Sequence, residues 1–330
     1  MKFITIGSER IKRDEGEIKV NILNKKRGIK LVAQVLVVIS ILGMGSMYNL
    51  VFVGPIRVNA VTTSTITINK LTYAYSGTTA SLTDSTANGN IIIPSTITVN
   101  GKKYTVTSIG DWAFNNGYAH QVTSVTIPST VISIGNYAFD NTQITSLIIP
   151  NSVKTIGDNC FYNCSKLASV VIPNSVTSIG NSAFTNCSNL TSVTIPSSVT
   201  SISPDTFYQC INLRSVTIPS GVTSIGECAF SKCANLTSVT IPSSVKSIGD
   251  YAFWNCTGLK SVYFKEQNIQ SIYNEQSAEA FSGCSNVTTF GVGNIIYILN
   301  NSKLTATTSA KTTNTLIQFD DKFYNVVVSK

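Results

Sequence analysis

Leu190-Thr191-Ser192-Val193-Thr194-Ile195-Pro196, followed by Val199 and then Ser201-Ile202, decides the fold because the chain says it again and again. Ile-Pro pairs end at Pro128, Pro150, Pro173, Pro196, Pro219 and Pro242, and the last four intervals are all 23 residues. Phenylalanines keep the same beat at Phe161, Phe184, Phe207, Phe230 and Phe253, with Phe114 and Phe139 before them and Phe281 after. Self-similarity at a fixed period of this length is the mark of a repeat architecture. The consensus reads L-x-S-V-x-I-P-x-S-V-x-S-I-G-x-x-A-F-x-x-C, in eight units.

Each unit has a physical reading. Val193 and Ile195 alternate with Ser192 and Thr194, the period of a strand buried on one side. Proline then ends the strand because it cannot donate to a ladder. A second short extended stretch, Val199 to Ile202, leads to a corner of the Gly180-Asn181 type. There, glycine is expected to supply positive φ and Asn or Asp to cap a short helical turn, with the Ala-Phe pair pointing inward. One unit cannot bury its apolar side alone, whereas stacked coils form a continuous core.

This pattern resembles the BspA-like leucine-rich repeat family, the 23-residue type also called the Treponema pallidum repeat, over about residues 105–290. The resemblance implies a curved repeat solenoid of eight coils, mostly short parallel β-strands with short helical turns, on an exported and often surface-attached protein linked to adhesion. Three units depart from the pattern. The second has Asn141-Thr142 and no Cys, the fifth has Ser203-Pro204 at the Gly corner, and the last is stretched through Gln267 to Glu279.

An open solenoid end exposes core and strand edges, so both ends need caps. Residues 61–104 read as a β-rich N-terminal cap, because Asn100-Gly101 between two alternating runs is a hairpin signal. Residues 291–330 read as a C-terminal β cap, with strands near Ile295 to Leu299 and Phe323 to Val328 and a Ser/Thr-rich loop between.

The whole chain has 330 residues, 43% hydrophobic and 12% charged, with a formal charge of +8. Residues 1–60 hold ten Lys and Arg against four acids, and the rest hold fourteen against twelve. The basic excess therefore belongs to the leader, and no basic cluster suited to nucleic acid is visible in the body. From Leu31 to Val53 no charged residue occurs over 23 positions, a length that can span a bilayer. Residues 1–60 thus read either as a signal peptide ending at Val58-Asn59-Ala60 or as an uncleaved N-terminal transmembrane anchor, and either one sends the remainder out of the cytoplasm. Membrane contact is expected through this segment alone.

Eight cysteines in an exported protein would ordinarily suggest disulfides. Six of them, Cys164, Cys187, Cys210, Cys233, Cys256 and Cys284, follow the repeat Phe by three residues. They read as a ladder of buried thiols acting as small hydrophobes. Cys160 and Cys228 fall off the ladder and are the better candidates for pairing or reactivity. No metal or cofactor motif is found: the chain has one histidine, His120, no C-x-x-C, P-loop or G-x-S-x-G, and Gly291-Val292-Gly293 does not complete a dinucleotide fingerprint. Glu275 and Glu279, an i, i+4 carboxylate pair, read as a solvated face.

What remains is surface. The outward strand positions form a Ser column and a Thr-rich column, with Ser192, Thr194, Ser215, Thr217, Ser238 and Thr240 at their centre. These are either a binding face or hydroxyls that satisfy one another across strands. Tyr162, Tyr208 and Trp254, each directly after a repeat Phe, form a second candidate surface. The expected function is protein binding or adhesion by a non-catalytic, exported or cell-surface repeat protein, its ligand a host, matrix or neighbouring-cell protein. A secreted enzyme with its site in an end cap and a structural envelope protein are the rivals.

Overall fold

The structure is a computed structural model that describes residues 63–115, 121–265 and 279–292 and, outside them, only the backbone of short strands. The leader, His120, Glu275 and the greater part of the C-terminal cap lie outside the described residues. The body is a β-solenoid in which each repeat makes one coil.

The N-terminal end is antiparallel. Strands β1 (Ser64–Ile68), β2 (Leu71–Ser76) and β3 (Thr79–Ser85) form a meander. After β4 (Gly89–Ile92), strands β5 (Thr96–Val99) and β6 (Lys102–Ile109) make the Asn-Gly hairpin, with Val99 opposite Lys102. Asn100 and Gly101 both take positive φ, 50° and 78°, as a type I′ turn requires. Parallel pairing already begins here: β3 pairs β6, and β4 pairs Val122–Thr126. The last part of residues 61–104 therefore carries the strand pattern of a coil before the first full repeat.

From there two parallel columns run through the molecule. In the first, Ser146 pairs Ser169, Ser192 pairs Ser215, and Ser238 pairs Ser261. In the second, β6 leads to Ser133–Ile134, Thr155–Ile156 and Ser178–Ile179, and Ser201–Ile202 leads to Ser224–Ile225 and Ser247–Ile248. A 23-residue coil brings each residue back opposite its counterpart with no stagger. Inward residues such as Val193, Ile195, Val199, Ile202, Phe184 and Leu190 are buried together.

The corner differs from the helical turn expected above. No helix occurs among the described residues, and the Ala-Phe segment is a run of turns. In the third coil the amides of Asn159, Phe161 and Asn163 donate to the carbonyls of Asn181, Ala183 and Thr185 in the next coil, at 2.8, 2.8 and 2.9 Å. A helix would spend those amides on its own carbonyls. Here they form a third intercoil column, made possible by positive φ at Asn159 and Asn163, 53° and 55°. Asn visits the left-handed region at low cost, which explains its frequency at this place.

The corner glycines have a different role from the one expected. Gly180 is not at positive φ; a Cβ there would lie 2.4 Å from Asp158 N and 2.5 Å from Gly157 C. At Gly180 the backbone of the preceding coil approaches too closely to leave room for a Cβ. In the fifth coil Ser203 stands at this position, and its hydroxyl donates to Ile179 O at 2.6 Å. The residue after the glycine bonds across coils instead of capping a helix. Asp111, Asn136 and Asp158 each accept, through Oδ1, the amide of the matching residue in the next coil at 2.8 Å. The series ends at Pro204, which has no N–H to give.

Inside the corner, eight phenylalanines from Phe114 to Phe281 form one continuous stack, with ring centroids 4.8 to 5.4 Å apart. Beside it runs the cysteine column. Cys164, Cys187, Cys210, Cys233, Cys256 and Cys284 are all buried, and all eight cysteines are free. Each of the six thiols donates to the carbonyl of the preceding coil's Phe, as Cys187 does to Phe161 O at 3.2 Å. That carbonyl is buried, so an apolar residue of the same size would leave part of its bonding capacity unmet. In the second coil the position is taken by Thr142, which is buried and lies 3.2 Å from Cys164 Sγ.

Three outcomes are expected. Phe207→Ala should cost about 3 to 5 kcal/mol in chemical denaturation, as for other buried Phe truncations, and Gly180→Ala about 1 to 3 kcal/mol by forcing the coils apart. An unchanged melting temperature in either variant contradicts the packing described. Burial also pushes the Cys164 and Cys210 thiols up to about 12 from an ordinary 9.0. The folded protein keeps protons that the unfolded chain releases, so this stabilisation is complete below pH 9 and is lost as pH rises from about 9 towards about 12. A denaturation midpoint flat across that range contradicts it, as does fast reaction of native protein with a thiol reagent at neutral pH.

Candidate functional surfaces

The coil geometry turns outward residues into columns, and the two surfaces expected from sequence fare differently. On the first strands, Ser192, Thr194, Ser215, Thr217, Ser238 and Thr240 are all exposed. None of the six hydroxyls has a hydrogen-bond partner in the protein, so the cross-strand bonding offered above as the alternative is absent from these positions. Parallel pairing in exact register points neighbouring side chains the same way, and the backbone already uses the strand amides and carbonyls. The hydroxyls are left to solvent or a ligand.

Towards the N-terminal end the Thr column turns apolar. Ile92 and Ile148 are each 74% exposed and Val171 58%, the three most exposed large apolar side chains among the described residues. Ile148 lies directly opposite Val171, and Thr126 directly opposite Ile92. Isolated exposed apolar residues are ordinary, whereas grouped ones mark an interaction surface; here Ile148 and Val171 adjoin, with Thr126 between them and Ile92. This apolar stretch continues into the hydroxyl-bearing part of the same face. No first-strand segment carries a carboxylate, and the charges directly flanking these segments are the exposed Arg214, Lys260 and Lys265.

Two of the three residues of the second surface, Tyr208 and Trp254, are already engaged by the protein. Tyr162, Tyr208 and Trp254 are half-buried. In the coil between Tyr208 and Trp254 the matching residue is Ser231, small and buried, and Lys232 fills the space it leaves. The Lys232 ammonium lies 5.2 Å from the Tyr208 ring centre and 5.1 Å from that of Trp254, and donates to the Tyr208 hydroxyl at 2.9 Å. These aromatics therefore hold a cation of their own chain.

Cys228 is half-buried, and burial first, then Asp205, Glu227 and Asp250, raises its thiol pKa. A lowered pKa is what favours the reactive thiolate, and the shift at Cys228 runs the other way. Cys160 is fully buried with its pKa raised well above the ordinary value, and it forms no disulfide. Glu279 accepts a hydrogen bond from Tyr251 and so raises that phenol's pKa. Burial likewise raises the Asp140 carboxyl, which is held by Asn115 and Asn141. Among the described residues no group of three or more His, Cys, Asp or Glu side chains is placed to hold a metal ion, and no helix is long and apolar enough to cross a membrane.

Comparison with known proteins agrees with this architecture. The family model for the BspA type leucine rich repeat region matches residues 90–214 and 200–325, with six copies. Among solved structures, a leucine rich cell surface protein from Faecalibacterium prausnitzii A2-165 is 33% identical at a TM-score of 0.58, covering 73% of this chain and 60% of that one. The present chain thus spans less than two thirds of that protein. A leucine-rich repeat protein from Bacteroides ovatus is 23% identical over 69% of this chain and 71% of its own, at a TM-score of 0.48. The leucine rich repeat protein of T. pallidum is 22% identical over 70% and 82%, at 0.32. No curated protein matches. With its coil geometry, its repeat spacing and a family model that covers well over half its length, the chain belongs to the BspA type leucine-rich repeat family.

Proposed function

We propose that this is an exported or cell-surface adhesion protein that binds a protein ligand, without catalysis, through the first-strand face. The observation that carries this reading is the exposed apolar stretch Ile92, Ile148 and Val171 continuing into unbonded hydroxyls on one carboxylate-free face. A large face of this kind supplies apolar contact area for affinity and polar groups for orientation. It favours the strand face over the aromatic surface, where Tyr208 and Trp254 hold Lys232. The cell-surface description of the Faecalibacterium relative supports export, as do the basic leader and its apolar run.

Charges flank this face sparsely, so screening has little to weaken and binding should change little with salt. The test uses beads coated with the protein and retained on epithelial monolayers. Retention should fall after the monolayer is treated with protease. It should fall by about tenfold or more in Ile148→Asp with Val171→Asp and in Thr194→Lys with Thr217→Lys, each of which puts charge on the face. Tyr208→Ala with Trp254→Ala should matter less. Retention that survives both strand-face variants contradicts the assignment of the face, and turnover of a substrate abolished by a single carboxylate or Cys substitution contradicts the non-catalytic reading.

A further inference from the structure

Between the corner and the first strands, the second to fifth coils hold an open groove of about 440 Å³. Its lining is dominated by amides. Asn141, Asn163, Asn186 and Gln209 each stand two residues after a stacked Phe, and Gln143 lies beside them. Their backbone amides already donate to Tyr162, Thr185, Tyr208 and Ser231 carbonyls in the next coil, at 2.8 to 2.9 Å. Their side chains are held in place yet only partly used. Asn186 Nδ2 donates to Asn163 Oδ1 at 2.7 Å, Asn141 Nδ2 to Asp140 Oδ1 at 2.8 Å, and Gln209 Nε2 to the Tyr208 hydroxyl at 3.4 Å. Each carboxamide has two donor hydrogens and two acceptor lone pairs, so every one keeps capacity beyond these bonds.

We propose that this groove is a second binding site and that it takes a neutral glycan, an extended chain of diequatorially linked pyranoses lying along the solenoid axis. A sugar hydroxyl is donor and acceptor at once, and a carboxamide answers both needs side by side. No charged residue lines the groove. The next residue of the column, Lys232, is held between Tyr208 and Trp254, so the C-terminal end of the amide column is bordered by aromatic rings instead of a free cation.

The spacing favours a glycan over a peptide. Amides recur once per coil, and the Phe161–Phe184 and Phe184–Phe207 ring centres beneath them are 5.0 and 5.4 Å apart, close to the advance of one pyranose. An extended peptide repeats its same-side groups about every 6.6 Å and would fall out of register within two coils. The groove also offers no free backbone edge for strand addition, and Ile211 is its single apolar lining residue, which leaves no pocket for the buried anchor that peptide recognition uses.

Calorimetric titration of the full chain with cellohexaose and with chitohexaose tests this. Saturable binding of at least one is expected, with cellobiose and the curved maltohexaose weaker. Ile211→Trp, which fills the groove at an exposed position, should weaken binding about tenfold or more. Asn163→Asp with Asn186→Asp should do the same, since Asp tolerates the left-handed backbone but brings no donor. Thr194→Lys with Thr217→Lys should leave it unchanged, which separates this site from the protein-binding face. Absence of binding to both linear hexasaccharides overturns the proposal. So does binding indifferent to Ile211→Trp, or binding lost in the strand-face variant; Ile211→Trp decides alone if the double Asp variant fails to fold.

Discussion

Every other feature depends on the close approach of one coil to the next at a single strand spacing. Backbone hydrogen bonds fix that spacing on the strand sides. On the corner side, amides such as those of Phe161 and Phe184 reach forward to the next coil. The distance leaves no room for a Cβ at Gly180, allows stacked phenylalanine rings 4.8 to 5.4 Å apart, and puts each buried thiol within reach of the previous coil's Phe carbonyl. Rings, thiols and glycines are three answers to one geometric demand, and they occupy neighbouring positions because one corner must meet it.

A fixed pitch without stagger also decides what the surface looks like. Any residue type kept at an outward position becomes a column, and the columns separate by chemistry. The corner holds Asp111, Asp158, Glu227 and Asp250, the strand face holds hydroxyls and the apolar Ile148 and Val171, and the groove between holds amides. A charge placed once per coil would face its like at about one strand spacing, at a cost that grows with each neighbour. Asp and neutral Asn alternate in the corner at Asp111, Asn136, Asp158 and Asn181, and the side-chain oxygens of the first three each accept a backbone N–H. The surface has low charge because the architecture multiplies whatever it is given.

Much of this is legible in the sequence, for the same reason. The period, the alternation of Val193 and Ile195 with Ser192 and Thr194, and the Asn100-Gly101 hairpin all encode local or repeated geometry. The corner is less legible. A Gly followed by Asn and Ala-Phe satisfies the rules for a helix start, yet the decisive contact is between Gly180 and a residue one coil earlier, a clash no single unit displays. The positive φ of Asn159 and Asn163 has a sequence signal in the recurrence of Asn, but Tyr137, Cys228, Lys232 and Tyr251 share it without any such preference. The role of Lys232 between Tyr208 and Trp254 was hidden because the three are 24 and 22 residues apart in a chain read 23 at a time. The amide groove has no consensus signal because it mixes two residue types, Asn and Gln, at a position the repeat leaves open.

Residue-resolved amide hydrogen exchange tests the central claim most directly, since it reads the corner hydrogen bonds separately from the strands. If coils are joined by the corner amides as described, Phe161, Phe184, Phe207 and Phe230 should exchange as slowly as strand amides such as Val193 and Val239, and all should lose protection together in denaturant. Fast exchange at these four phenylalanines, with the strands still protected, would show that the corner is a loose turn and that the strands alone hold the solenoid together.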